Sequence, residues 1–187
     1  MPLDITFTLS DQDLDHFQSI VDKAKSAMSG ADTAATIEAA ARQLIEDAKS
    51  SDLPEFIDQR LQKLEVVINM VGDEEWRLNE EERNRVLGAL VYFCDPEDLI
   101  PDHVPGLGFL DDAIYVEIVI RELSNEIESY EEFCQFRQAE EARRKEKGQD
   151  PHVEREEWLA DKRATLHARM RKRQRSSPGA GGWRLRW

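Results

Sequence analysis

"CDPEDLIPDHVPGLGFLDD", Cys94 to Asp112, is the stretch whose reading decides the fold. It holds three prolines, two glycines and six acidic residues, and it separates two of the most apolar runs in the chain, "VLGALVYFC" before it and "AIYVEIVI" after it. Pro96, Pro101 and Pro105 pre-set φ and shrink the unfolded ensemble, while Gly106 and Gly108 admit backbone conformations closed to other residues. The segment therefore reads as a stiff corner that turns the chain back between two buried helices. Its acids satisfy its backbone: Asp95 precedes a proline at a helix end, Asp98 and Asp102 accept from N–H groups in turns, and Asp111 or Asp112 caps the next helix. Leu99, Ile100, Val104, Leu107, Phe109 and Leu110 plug the floor.

Outward from the corner, helical spacing dominates, and only "ITFTLS" near the front alternates as a strand does. Ser10 with Asp13 predicts a capping box, followed by a stripe of Leu14, Phe17, Ile20, Val21, Ala24 and Met28. Asp32 or Thr33 opens a second helix with Ile37, Ala41, Leu44, Ile45 and Ala48 inward. Asp52, with Pro54 in the first turn, opens a third along Phe56, Ile57, Leu61, Leu64, Val67, Ile68 and Val71. Asn79 with Glu82 opens a fourth, apolar all round from Val86 to Cys94 and so buried on every side. After the corner, Val116, Ile120, Leu123, Ile127, Tyr130 and Cys134 step 4, 3, 4, 3, 4 along one long helix from about Ala113 to Lys147, a heptad seam that asks for a partner. "GQDP" at Gly148 to Pro151 stops that helix and starts a returning one to about Arg175. In an antiparallel hairpin, Arg143, Arg144 and Lys145 face Glu154, Glu156 and Glu157, and Glu126, Glu128, Glu131 and Glu132 face Arg169, Arg171, Lys172 and Arg173.

The fold class is thus all-α: a multi-helix bundle around a helix-loop-helix core with a Pro/Asp-rich loop, plus a long antiparallel helical hairpin. The expected units are N-terminal helices over 1–74, the core over 79–123, the charged hairpin over 124–175 and a flexible basic tail over 176–187.

Composition bounds the rest. With 40% hydrophobic and 34% charged residues in 187, the chain is highly charged yet rich enough in apolar residues to bury a core. The net charge of −14 is segregated: Lys162 to Trp187 carries nine basic residues and no acid, leaving residues 1–161 with 16 basic against all 39 acidic ones, or −23. The apolar runs of nine and eight residues fall well short of the roughly 20 that cross a bilayer. Cys94 and Cys134, forty residues apart, read as buried thiols in a reducing setting, and the start has no signal-peptide pattern. A cytoplasmic location is expected.

"LVYFCDPEDLIPDHVPGLGFLDDAIYVEIVI" resembles the core of the YkvA family, a bacterial family built on a domain of unknown function (DUF1232). The resemblance lies in Tyr92, Asp95, Pro96, Asp98, Leu99, Ile100, Pro101, Asp102, Pro105, Gly108, Asp111 and Asp112. It covers about Arg85 to Leu123 and implies an all-helical hairpin around a rigid loop, with no established enzymatic activity to carry over. Relatives in the family are often membrane-associated, with longer and more apolar flanks. Here Glu80 to Arg85 and Arg121 to Glu126 charge both flanks, which argues against transmembrane insertion.

Five functional readings follow. A divalent cation is the one ligand with a chemical case, since Asp95, Asp98, Asp102, Asp111 and Asp112 offer hard oxygens, but the spacing is not that of an EF-hand, and caps and turns are the preferred account; no other cofactor is expected. For hydrolytic chemistry those carboxylates could serve as a pair, but the one helper near them is His103, which reads more readily as an exposed or turn-bonded loop residue. Nucleic-acid binding by "RMRKRQR" is opposed by the acidic body. Attachment to the inner face of an anionic membrane, through Arg169, Arg171, Lys172, Arg173, Arg175, Trp183, Arg184, Arg186 and Trp187, is the alternative to the preferred reading. That preferred reading is a non-catalytic interaction or adaptor module with a protein partner, which meets the exposed corner and the same basic tail.

Overall fold

The computed structural model describes residues 10, 12, 13, 15, 16, 19, 33–49, 53–94 and 109–176. Asp95, Asp98, Asp102 and His103 of the corner, residues 5–9 of the "ITFTLS" segment, the whole of the first helix's stripe and the tail residues Trp183, Arg184, Arg186 and Trp187 lie outside that set, as do the side chains of Cys94 and Arg175. The capping box at the front is present: the Ser10 N–H donates to the Asp13 carboxylate at 2.8 Å and the Asp13 N–H to the Ser10 hydroxyl at 3.4 Å.

Six helices follow: α1 (Thr33–Lys49), α2 (Glu55–Gly72), α3 (Glu80–Leu90), α4 (Leu110–Glu122), α5 (Ser124–Glu146) and α6 (Arg155–Ser176), with a 3-10 segment, Val91–Cys94, closing α3. α1 packs on α2, α3 and the 3-10 segment, α2 lies along α4 and also meets α5, and α5 pairs with α6. The core joins Ile37, Ala41 and Ile45 of α1, the Ile57–Leu61–Leu64–Ile68 face of α2, Val86 to Tyr92, and Ala113, Val116 and Val119 of α4. From Val86 to Tyr92 the chain is buried nearly all round, as its unbroken apolar run requires, while Glu80, Glu81, Arg83 and Asn84 at the start of α3 are exposed.

Where local sequence signals compete, the elements shift. α2 begins at Glu55, with Pro54 at the N-cap position and no side-chain cap, and Phe56, read as inward, is 44% exposed. Asp111 and Asp112 do not cap α4; the cap is Phe109 in a left-handed conformation (φ 64°), and both acids sit buried in the first turn, where their charge meets the positive end of the helix dipole. The long helix after the corner is two helices. Leu123 leaves helical geometry (φ −97°, ψ 16°) just before Ser124 and Asn125, residue types whose side chains compete with backbone helix bonds; the helix before it packs chiefly on α2 and the helix after it chiefly on α6.

The turn at 146–155 behaves in part as read. Gly148 (φ 68°) ends α5 with N–H bonds from Gln149 to Arg144 O (2.9 Å) and from Gly148 to Lys145 O (3.0 Å), the reciprocal pair of a Schellman motif. The Asp150 carboxylate accepts from the His152 N–H at 2.8 Å, but it holds a turn, and α6 starts only at Arg155 after Glu154 (φ 53°).

The hairpin is antiparallel, and its far end pairs only in part as the charges predict, since Arg171 goes to Glu82 and Glu131 to Lys63. Arg173 meets Glu128 at 2.9 Å, Arg169 and Lys162 share Glu132, and Gln174 donates to buried Glu126 at 2.7 Å. The near end does not. Glu140 takes both Arg143 (2.5 Å) and Arg144 (2.9 Å) from its own helix, Arg155 takes Glu141 (2.7 Å), and Glu156 goes to Arg77 and Arg163. Partners three or four residues along one helix lie within reach whatever the hairpin does, so they outcompete partners across the turn.

Candidate functional site

Two clusters place chemistry-bearing side chains together. The first is the base of the corner. The α4 residue Tyr115 donates its hydroxyl to Ala89 O at 3.0 Å, Tyr92 stacks on its ring at 4.2 Å between centroids, and Phe93 meets it edge-on. Tyr92 reaches the Asp111 carboxylate at 3.5 Å, and Asp111 and Asp112 are 3% and 5% exposed. The elements flanking the corner therefore touch, with both predicted acids inside.

The second cluster forms around the seven-residue linker Asp73–Asn79 between α2 and α3. α2 ends at Gly72, and Asp73 takes over: its Oδ1 accepts from the N–H groups of Glu75 (2.9 Å) and Trp76 (3.1 Å), folding a turn that aims Trp76 inward. Arg77, at φ 56°, reverses the chain, and Asn79 and Glu82 close a reciprocal capping box at the start of α3. Trp76 is fully buried, with ring centroids of His167, Phe133 and Tyr130 at 4.2, 5.1 and 5.8 Å. The hairpin clamps the linker on both sides. From α5, Tyr130 donates to Asp73 Oδ2 at 3.0 Å, and Arg137 bridges Asp73 (2.9 Å) and Glu75 (2.8 Å). From α6, Arg155 forks onto Glu75, Arg163 donates to Glu75 O at 2.8 Å, and Arg171 meets Glu82 at 3.2 Å.

The carboxyl groups of Glu75 and Glu82 are tuned toward ionisation. The hydrogen bond from Arg155 holds the Glu75 carboxyl below the usual glutamate value, with Arg137 adding to it. Burial pushes Glu82 up, but bonds from His167 and the Asn79 N–H, with the charge of Arg171, outweigh it and leave the group lowered. Burial, then the Asp73 carboxylate, pushes the Tyr130 hydroxyl well up. Burial likewise raises the Cys134 thiol, so it stays protonated. These are carboxylates fixed as anions by cations, an arrangement that binds elements together.

The predicted contact residues fall out differently. Arg169, Arg171 and Arg173 are engaged by Glu132, Glu82 and Glu128, while Lys172 is exposed. His16 and His152 are exposed, and among the described residues no group of three His, Cys, Asp or Glu side chains gathers as a metal site would. An open groove of about 470 Å³ runs between α2 and α4, over Arg60, Lys63, Val66, Glu117 and Ile120. Sequence reading missed Trp76 and His167. The signal for the histidine was its place beside Leu159, Leu166 and Met170, the buried stripe of α6; for the tryptophan, a lone indole among acids offered none.

Comparison with known proteins points the same way as the corner. Residues 85–117 match the family model described as a protein of unknown function, DUF1232. The chain is 30% identical over 79 residues to the uncharacterized membrane protein YkvA of Bacillus subtilis (strain 168), covering 39% of this chain and 73% of that protein. No solved structure matches. Among the described residues, no helix is long and apolar enough to cross a membrane.

Proposed function

This chain belongs to the DUF1232 family, that of YkvA, and from that premise we propose that it is a non-catalytic interaction module, a rigid helical body that offers surfaces to a protein partner. The observation that carries this reading is the use made of its perturbed groups. Glu75 and Glu82 are held lowered by guanidinium and imidazole partners, whereas a general acid needs a raised carboxyl facing a cleft. The linker cluster thus spends its charge on joining the hairpin to the body. The segments assigned to the partner are the corner and the stretch beyond Ser176, whose sequence, "SPGAGGWRLRW", carries two Arg and two Trp.

A second reading, a peripheral factor on an anionic membrane surface, is favoured by that same segment and by the relative's description as a membrane protein. Co-sedimentation with vesicles containing phosphatidylglycerol, run with the intact chain and with a chain lacking residues 177–187, separates the two. The interaction-module reading expects no sedimentation with vesicles at physiological salt, together with a stoichiometric protein partner recovered from the native cells. Vesicle binding that weakens with salt and disappears on the deletion would replace it with the membrane reading.

A further inference from the structure

The buried ring of His167 has oxygen acceptors at both nitrogens. Its Nε2 lies 3.0 Å from the Trp76 carbonyl, which only accepts, and its Nδ1 lies 3.3 Å from Glu82 Oε2. That carboxylate is already an acceptor elsewhere: Oε2 takes the Asn79 N–H at 3.1 Å and Oε1 takes Arg171 at 3.2 Å. A neutral imidazole has one N–H and one lone pair, so it satisfies one of these contacts and sets a lone pair against an oxygen at the other. The imidazolium satisfies both.

We propose that His167 is a proton-operated latch: doubly protonated, it fastens α6 to the linker and to α3, and loss of one proton loosens the hairpin from the body. The other ionisable groups around it favour this setting. From α3 there is Glu82, and from the linker Asp73 and Glu75, both engaged by Arg137. α5 contributes Tyr130, whose hydroxyl is bound to Asp73, and α6 itself contributes Arg163 and Arg171, one turn either side of the ring, both turned onto oxygens of Glu75, Glu156 and Glu82. The nearest carboxylate is thus aimed at the ring, and the nearest cations are occupied. The ring stacks on Trp76 at 4.2 Å, so a change in its charge is felt at the centre of the clamp. The latch holds from the pH at which Glu82 becomes an anion up to that at which the ring gives up its second proton.

The test is a long-range proton–nitrogen NMR titration of the full chain, with the His167 ring assigned by its cross-peaks to Trp76, paired with melting curves at the same pH values. Both ring nitrogens should carry protons at the acid end of the titration. As pH rises and one is lost, the melting midpoint should fall by about 3–10 °C. In E82Q the doubly protonated form should be lost at lower pH. In H167Q the midpoint should no longer follow that titration; the wild-type spectra decide the matter if this variant does not fold. A single neutral tautomer across pH 5 to 9, or a ring titration that leaves the midpoint unmoved, would overturn the latch.

Discussion

Trp76 carries more of the tertiary structure than its setting suggests. It sits in "DEEWRLN", where four charged residues surround it, and yet it is fully buried because Asp73 folds a turn that turns the indole away from solvent. Trp76→Ala should cost about 3–5 kcal/mol, the range for emptying a large aromatic site, measured by urea unfolding. A change to Phe should recover most of that, since the contacts to Phe133, Tyr130 and His167 are made by the ring. At the corner's base, Tyr115→Phe keeps the stack on Tyr92 but removes the hydroxyl's bond to the Ala89 carbonyl, and should cost about 1 kcal/mol by the same measurement. Neither role was legible in sequence. Which side of a loop a residue faces is set by the turn's hydrogen bonds, and a tyrosine hydroxyl's partner 26 residues away is set by packing.

At the scale of the element, local chemistry was readable wherever the partners are a few residues apart. The Asn79–Glu82 capping box was recognisable from its spacing and is present with both bonds, the Glu82 N–H reaching Asn79 Oδ1 at 2.8 Å. Asn79→Ala should destabilise by about 1 kcal/mol. Because Glu82 also receives His167 and Arg171, a larger loss would indicate that the cap orients that carboxylate for the hairpin. Gly148 ends α5 in a left-handed conformation with open space where a Cβ would stand. Gly148→Ala should therefore cost about 1 kcal/mol through backbone conformation alone, visible as a small drop in melting midpoint. The break at Leu123 escaped sequence reading because neither proline nor glycine marks it. The heptad continues straight through, with Val116, Leu123, Ile127 and Tyr130 all buried. A seam of apolar residues constrains which face is inward, and it leaves free whether the axis is straight.

For the whole molecule, the governing feature is an acidic body fastened to a partly basic hairpin. Glu75 and Glu82 have folded-state values lowered by their cationic partners, so each contributes stability that is complete above the ordinary glutamate value of 4.5 and is lost as pH falls through the lowered folded value. Melting curves from pH 7 to pH 3 should show the midpoint falling steeply below about pH 4.5. Glu75→Gln should flatten that fall and lower the midpoint at pH 7, because Arg155 and Arg137 would lose the anion between them. A wild-type midpoint flat down to pH 3 would mean that the clamp contributes little to stability.

The sequence by itself determined the all-helical class, the inward faces of most helices, the capping boxes at Ser10 and Asn79, the stop at Gly148, the antiparallel sense of the hairpin and the family to which the corner belongs. These rest on periodicity and on chemistry between near neighbours, which act over one or two turns regardless of what surrounds them. Only the tertiary structure decided that Arg171 would leave the hairpin for Glu82, that Arg155 would embrace Glu75, and that Trp76 and His167 would meet at the centre of the clamp. Each such charge had several partners of nearly equal worth within its reach. The choice among them was made by the path of the linker and the bend at Leu123, which position side chains tens of residues apart.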